Sequence, residues 1–383
     1  MSHPFHIVFS GSGATGHLYP GLTIARHVAE RLPSCLITFI GSRQAAERHA
    51  VRAAGFHYAS IPSHPPPQNA LRAVRFVTDN IAGYWASRWL LRERHVSLVV
   101  GLGGYAGAAT ARAASVRGIP TVLLEQNVVP GRATRWLASS ATSVCAGFSQ
   151  TQGYFGAKVS LAVTGNPPRP AFEALFRERQ HQSSASANVD QRPRAKRLVV
   201  IGGVGGARSL NQFMPTALAR LAGQLDGWEI VHQTGEGQLQ ETFDRYHEAG
   251  VAAVVVSYID ELAPLLFDLD LVVCRAGGTT LFELALAGAP AVLVPYPHAS
   301  EAYQLANAEV FAAAGAAKLI DETELMGPLD DALVTAMDPL VMDAAQRQAM
   351  AANMRRLARP DAAADIADTI SNILCGASAR LAA

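Results

Sequence analysis

The chain alternates short, continuously apolar runs with longer stretches whose apolar residues recur at helical spacing, and each apolar run closes on glycine or a polar residue. HIVFS is followed by GSGATG and the helix-like HLYPGLTIARHVAERL; RLVVIG is followed by GVGGARSLN and FMPTALARLAG. Such a repeat predicts two similar halves. In the first half LITFIG, SLVVGLGG, TVLLEQN, ATSVCAG and VSLAVTGN follow as further strands, and in the second WEIVHQTG, VAAVVVSYID, LDLVVCRAGG and PAVLVPYPH. Strands separated by helix-sized intervals predict an α/β fold of two Rossmann-like domains with parallel sheets. Ligands of such sheets bind at the carboxyl ends of the strands.

The pattern changes twice. Between the halves, 167–196 carries prolines near its start, a charged helical patch (FEALFRERQ) and the polar SSASANVDQRPRAKR, which predicts a linker with a loose centre. After about residue 338 the chain becomes rich in alanine and arginine, with an interruption at Pro360. The expected division is a first domain over 1–166, a linker over 167–196, a second domain over 197–345, and helices over 346–383 that pack back on the first.

With 383 residues there is enough chain for two full cores, and a net charge of +1 marks no nucleic-acid partner. The four cysteines, Cys35, Cys145, Cys274 and Cys375, are scattered without CxxC or Cys/His clustering, so free thiols in a reducing compartment are expected. The first ten residues run straight into a strand instead of a secretory leader. The most apolar windows are broken by glycine, arginine or proline before the roughly 20 residues that a bilayer demands.

Chemistry concentrates in the turn Arg275 to Thr280, which opens a helix after a buried strand and places Glu283 about one turn inside it. Free amides at a helix start favour a phosphate, and the carboxylate beside them suits a ribose; a sugar nucleotide offers both. Gly11, Gly13 and Gly16 also satisfy the dinucleotide spacing G-x-G-x-x-G. A nicotinamide site is nevertheless disfavoured. The second strand ends in Gly41, Ser42 and Arg43 with no carboxylate for an NAD ribose, although an NADP site stays formally open. His17, directly after the glycines, is either a helix-start residue bonding backbone or a general base meeting an acceptor hydroxyl. Gly103, Gly104 and Tyr105 form a backbone-rich turn suited to a pyrophosphate. Glu125, ending the next strand with Gln126 and Asn127, reads equally as a loop cap or a catalyst.

Together GATGHLYP (13–20), GLGGYAG (101–107), EQNVVPG (125–131), TGNPPR (164–169), GGVGGARSLN (202–211), HQTG (232–235), YIDELAPLL (258–266), RAGGTTLFELALAG (275–288) and PYPHASEAYQLANA (295–308) resemble the inverting GT-B glycosyltransferases. The resemblance lies with those that move N-acetylglucosamine from UDP-GlcNAc to the C4 hydroxyl of the muramoyl sugar of lipid I. It implies a GT-B fold whose sheets face across an interdomain cleft. Carried over motif by motif, it implies that the second half holds UDP-GlcNAc, with Glu283 on the ribose, the Ile259 backbone on uracil, and Gly205, Gly206 and Arg169 near the diphosphate. Gly277 and Thr279 open the donor helix, Gln304 touches the transferred sugar, and Asn307 supports its loop. Thr15, Gly16, Gly103, Gly104, Tyr105, Gln126 and Asn127 are expected to take the lipid-linked acceptor. His17 is the first candidate base and Glu125 the second, with no metal and no cofactor.

Departures from the family pattern are Val204 for a serine, Leu124 for a histidine, Tyr303 for His or Gln, and GATGH for GTGGH. Asp268, Leu269 and Asp270 spell the DxD of metal-dependent transferases, but Asp270 introduces a buried strand, so the metal reading is set aside. Finally, 62–94 combines prolines with Arg72, Arg75, Arg88, Phe76, Trp85 and Trp89, either a core helix with a wet arginine face or a surface for anionic lipid. The resemblance favours the lipid, and implies a peripheral protein on the cytoplasmic face of the plasma membrane.

Overall fold

In the computed structural model, residues 5–11, 15–65, 70–185, 195–297 and 303–382 are described. The chain divides into two compact units, one built from Met1–Pro170 with Arg359–Ala383, the other from Ala171–Ala358.

The first unit holds seven strands: β1 (His6–Gly11), β2 (Leu36–Gly41), β3 (His57–Ser60), β4 (Leu98–Gly103), β5 (Thr121–Glu125), β6 (Ser143–Ala146) and β7 (Leu161–Val163). All pair in parallel, in the order β3-β2-β1-β4-β5-β6-β7. Between them run α1 (Thr15–Arg31), α2 (Ala45–Ala53), α3 (Ala70–Glu93), α4 (Gly104–Val116) and α5 (Arg132–Leu137). Ile7, Val8 and Phe9 of β1 and Leu98, Val99 and Val100 of β4 are all buried, which is why these strands read as unbroken apolar runs.

The second unit opens with α6 (Pro170–Ala185) and continues with β8 (Lys196–Ile201), α7 (Arg208–Arg220), β9 (Trp228–Gln233), α8 (Leu239–Glu248), β10 (Val254–Val256) and α9 (Leu262–Phe267). Then come β11 (Leu271–Cys274), α10 (Gly278–Ala287), β12 (Ala291–Leu293), α11 (Tyr303–Ala313), β13 (Ala317–Leu319), α12 (Leu329–Met342) and α13 (Ala344–Arg356). Its six strands are also parallel, in the order β10-β9-β8-β11-β12-β13. Each sheet grows to one side of its first strand and then to the other. The reversal falls between β1 and β4 in one unit and between β8 and β11 in the other, and ligands of open α/β sheets bind at such switch points.

The boundaries differ from those read off the sequence. The helical patch after Pro170 is part of the second unit: Phe172 is buried, its ring 6.2 Å from that of Phe267, and Arg179 reaches the Phe267 carbonyl at 3.1 Å and Asp268 at 2.7 Å. A buried aromatic ties α6 to its unit, so the helical patch is not linker; residues 186–194, in the expected loose centre, lie outside the described residues. The C-terminal helices part company. α13 stays with the second unit, where Asn353 donates to the Gly315 carbonyl, while α14 (Ala362–Ala382) packs on α1 of the first. Ala363, Ile366, Ala367, Ile370 and Leu374 of α14 join Leu22, Ile24 and Ala25 in one core, and Arg31 pairs with Asp368 at 2.5 Å.

Candidate functional site

In the first unit, the carboxyl ends of β1, β4 and β5 bring three motifs to one edge of the sheet. His17 lies in the first turn of α1; of Thr15 and Gly16 only the backbone falls within the described residues, and Gly13 falls outside them. Gly103 ends β4 with φ 106° and ψ −177°, a conformation close to the exclusive preserve of glycine, and Gly104 begins α4. The two motifs touch. The His17 ring lies against Gly103, and its Nδ1 is buried without a hydrogen-bond partner among the described residues. Burial pushes the imidazole below its usual range, so at neutral pH it holds a free lone pair, the form a general base requires. Tyr105, one residue on, is exposed on its outer side and meets Phe76 of α3 edge to face at 6.4 Å.

Glu125 is 4% exposed and is engaged by its own loop. Its Oε1 accepts from the backbone N–H of Asn127 at 3.1 Å and from Asn127 Nδ2 at 3.3 Å, its Oε2 from the N–H of Gly131 at 3.0 Å. Burial raises its pKa against the opposing pull of the bonds from Gly131, Thr134 and Asn127. Both oxygens organise the turn, which is the loop-cap arrangement. Gln126 is buried and its carbonyl accepts from Asn166 Nδ2 at 2.9 Å; the Asn127 carbonyl accepts from the Thr151 hydroxyl at 3.0 Å. Arg169, partly exposed, sits at the end of this unit's first segment, just before α6.

In the second unit, the switch point gathers the loop after β8 and the start of α10. Gly205 and Gly206 lead into α7, and a Cβ on Gly206 would stand 2.2 Å from the Thr234 carbonyl, so only glycine fits. Gly277 caps α10, with Thr279 in its first turn and Glu283 one turn further, 1% exposed and so not turned to solvent. Two helix N-termini, α7 and α10, thus end at neighbouring strands with their amides towards the switch point, a combination that favours a polyanion. Ile259 lies in the loop after β10 and is partly buried. Gln304, buried in α11, accepts from the Tyr296 N–H at 3.2 Å, and Asn307 Nδ2 donates to the Ala276 carbonyl at 3.3 Å, fastening α11 to the turn before α10. Residues 298–302 of the PYPHASEAYQLANA stretch lie outside the described residues.

One brace escaped the sequence reading. Arg275 donates to the Val294 and Pro295 carbonyls at 2.9 and 3.1 Å and to Ser209 Oγ at 2.9 Å, and it pairs with Glu322. A single guanidinium joins the end of β12 to the start of α7, with Tyr296 beneath it at 5.4 Å. Ser209 lies in GGVGGARSLN and Arg275 in RAGGTTLFELALAG, but no spacing links the two to each other or to Glu322, and the three meet only in three dimensions. The DxD carboxylates serve neighbouring elements: Asp268 pairs with Arg179, and Asp270 accepts from the Arg197 N–H at 3.0 Å.

Residues 7–146 match the glycosyltransferase family 28 N-terminal domain and residues 197–368 the glycosyltransferase family 28 C-terminal domain. A UDP-N-acetylglucosamine–N-acetylmuramyl-(pentapeptide) pyrophosphoryl-undecaprenol N-acetylglucosamine transferase of Nitratidesulfovibrio vulgaris is 33% identical over 379 residues, 98% of each chain. The chain belongs to glycosyltransferase family 28. A family member of the same name from Methylococcus capsulatus is 36% identical, covering 94% of this chain and 96% of its own. The crystal structure of Acinetobacter baumannii MurG matches with a TM-score of 0.74 and 26% identity, over 96% of this chain and 100% of that one. The GT-B expectation of two Rossmann-like parallel-sheet domains is met. Among the departures from the family 28 pattern, Leu124 is buried in the core of the first unit, whereas Val204 is half-exposed on the loop before Gly205.

Proposed function

We propose that this family 28 glycosyltransferase moves N-acetylglucosamine from UDP-GlcNAc to the C4 hydroxyl of the muramoyl sugar of lipid I, forming lipid II. The observation that carries the reading is end-to-end similarity, at 33–36% identity, to transferases bearing that name. The second unit takes the donor: Glu283 binds the ribose, the Ile259 backbone the uracil, Gly205, Gly206 and the α7 and α10 N-termini the diphosphate, and Gln304 the sugar. Gly277 and Thr279 supply amides at the α10 start. The first unit takes the acceptor diphosphate on the Gly103, Gly104 and Tyr105 turn, with Thr15, Gly16, Gln126 and Asn127 around it.

His17 removes the acceptor proton as the oxygen attacks the anomeric carbon, and UDP leaves from the opposite face, inverting configuration. Loop amides, helix ends and Arg169 meet the leaving charge. Glu125 shapes the acceptor loop instead of taking the proton, because its oxygens already accept from Asn127 and Gly131.

The acceptor is lipid-linked, and α3 suits a membrane surface. Val74, Val77, Ile81, Trp85 and Trp89 recur at helical spacing and are 64, 51, 54, 61 and 62% exposed, while Gly83, Ser87 and Leu91 face the core. The tryptophans are therefore on the wet face, not in the core. Arg75 and Arg92 are exposed on the same helix, and Arg88 lies 6.0 Å from the Trp85 ring; the Arg72 side chain is outside the described residues. Among the described residues no helix is long and apolar enough to cross a membrane. The exposed apolar face of α3 supports a peripheral placement, which we put on the cytoplasmic face of the plasma membrane.

The test is transfer from radiolabelled UDP-GlcNAc to a short-chain lipid I analogue. Lipid II is the expected product. Transfer only to a different lipid or natural-product acceptor, a reading that Val204 favours by removing a hydroxyl, would replace the proposal, and UDP binding without any transfer would reduce the protein to a nucleotide-sugar binder.

A further inference from the structure

HQTG is a family motif to which the proposed reaction assigns no task, and its histidine is a link in a continuous chain of polar side chains. Tyr246 of α8, His232 of β9 and Asn211 of α7 are 2, 0 and 4% exposed, beside an apolar core that includes Leu198, Val200, Leu210, Met214 and Ile230. His232 Nδ1 lies 2.9 Å from the Tyr246 hydroxyl and Nε2 lies 3.0 Å from Asn211 Oδ1. Asn211 Nδ2 stands 2.9 Å from both the Thr234 carbonyl and Gln238 Oε1, and Gln238 Nε2 is 3.3 Å from the Gly205 carbonyl.

Two backbone carbonyls, which can only accept, fix every direction in this chain. Because Thr234 O accepts, the Asn211 nitrogen faces it and the Asn211 oxygen must accept from His232. Nε2 therefore carries the imidazole proton, and Nδ1 accepts from Tyr246. Because Gly205 O accepts, the Gln238 nitrogen faces the loop and the Gln238 oxygen faces Asn211. The order runs from the core to the glycine loop, Tyr246 to His232 to Asn211 to Gln238 to Gly205. A second amide, Gln233 Nε2, takes the Gly203 carbonyl at 3.3 Å. A carbonyl aimed at a diphosphate would repel it; these two are turned onto amides instead.

We infer that His232 is a positioning residue of the donor site, acting through Asn211 and Gln238 to hold the Gly203–Gly206 loop in the shape that receives the donor's diphosphate. This rests on reading that loop as the diphosphate cradle. A buried polar chain is a poor way to gain stability, since apolar replacements of similar shape are often neutral or better, so its use lies at its open end. Burial also pushes His232 down to about 3, so the relay keeps one protonation state through the pH range of activity.

Calorimetry with UDP and with uridine, alongside steady-state kinetics, tests the relay in the full-length protein. Asparagine at 232 can mimic only Nδ1, whereas glutamine carries an N–H to the Nε2 position. His232→Asn and Gln238→Ala should each weaken UDP binding and raise the donor KM about tenfold with uridine affinity unchanged. His232→Gln should recover most of that loss, and none of the three should shift the pH profile. Gln238 is partly exposed, so Gln238→Ala cuts the last link without disturbing the core. A UDP preference over uridine that survives undiminished in His232→Asn and Gln238→Ala would overturn the relay. Equal affinity of the wild type for UDP and uridine would instead overturn the cradle reading, and the relay's role with it.

Discussion

His17 and Gly103 are packed so closely that a methyl group on the glycine would stand 3.3 Å from His17 Nδ1. Among the described residues His17 Nδ1 meets no hydrogen-bonding side chain, and β1, which leads towards the His17 helix, and β4, which ends at Gly103, are neighbours at the switch point. Gly103→Ala both crowds the ring and forces a side chain into φ 106°, at about 1–3 kcal/mol of strain. It should lower kcat about tenfold or more while leaving UDP affinity unchanged. A variant with wild-type kcat would mean that this packing does not set the position of the base.

Because burial lowers the His17 pKa, its neutral form persists below the usual histidine range and is lost only as pH falls through the lowered value. The acid limb of kcat/KM should therefore lie below 6.5, the ordinary value for histidine. His17→Ala should abolish most turnover and, in what remains, the limb itself, with UDP binding retained. Stopped assays across the acid range decide it; a limb that persists in His17→Ala belongs to another group.

Glu125→Gln replaces one accepting oxygen with an N–H pointed at the N–H groups of Asn127 or Gly131. The loop loses its organiser, so the acceptor KM should rise by about tenfold and the melting temperature should fall by a few degrees. Loss of kcat alone, with the acceptor KM intact, would make Glu125 the base.

Glu283 is a buried carboxylate in the helix that starts at the switch point of the second unit. Glu283→Gln keeps its volume but weakens hydrogen bonds to ribose hydroxyls, so UDP affinity should fall about 10- to 100-fold. The loss should shrink when 2′-deoxy-UDP is the ligand. Equal losses for both nucleotides would place Glu283 elsewhere than on that hydroxyl.

Trp85 and Trp89 point outward on α3. Replacing both with alanine should lower partitioning onto anionic vesicles by more than about tenfold, given the area each indole can bury. Transfer to a water-soluble short-chain acceptor should stay unchanged. Vesicle binding equal to wild type would remove α3 as the membrane contact.

Local pattern was enough for most strands, for the glycine turns and for the two-sheet plan, because strands buried on both faces must be apolar throughout and turns at switch points must spare Cβ atoms. β3 and β13 were not legible: each is a short edge strand, HYAS and AKL, with too few buried residues to register as an apolar run. Glu283 and His17 could be singled out as candidates because each sits a fixed distance from a glycine turn in its own helix. The loop bonds of Glu125, the exposure of Trp85 and the brace of Arg275 with Ser209 and Glu322 depended on which way side chains point and what lies beside them. The final helix shows the difference most plainly: its amphipathic sequence required an apolar partner, but only tertiary packing chose α1, whose Arg31 stands 337 residues before the Asp368 that it pairs with, as that partner. Sequence determines which surfaces must be buried, whereas contacts between distant segments decide against what.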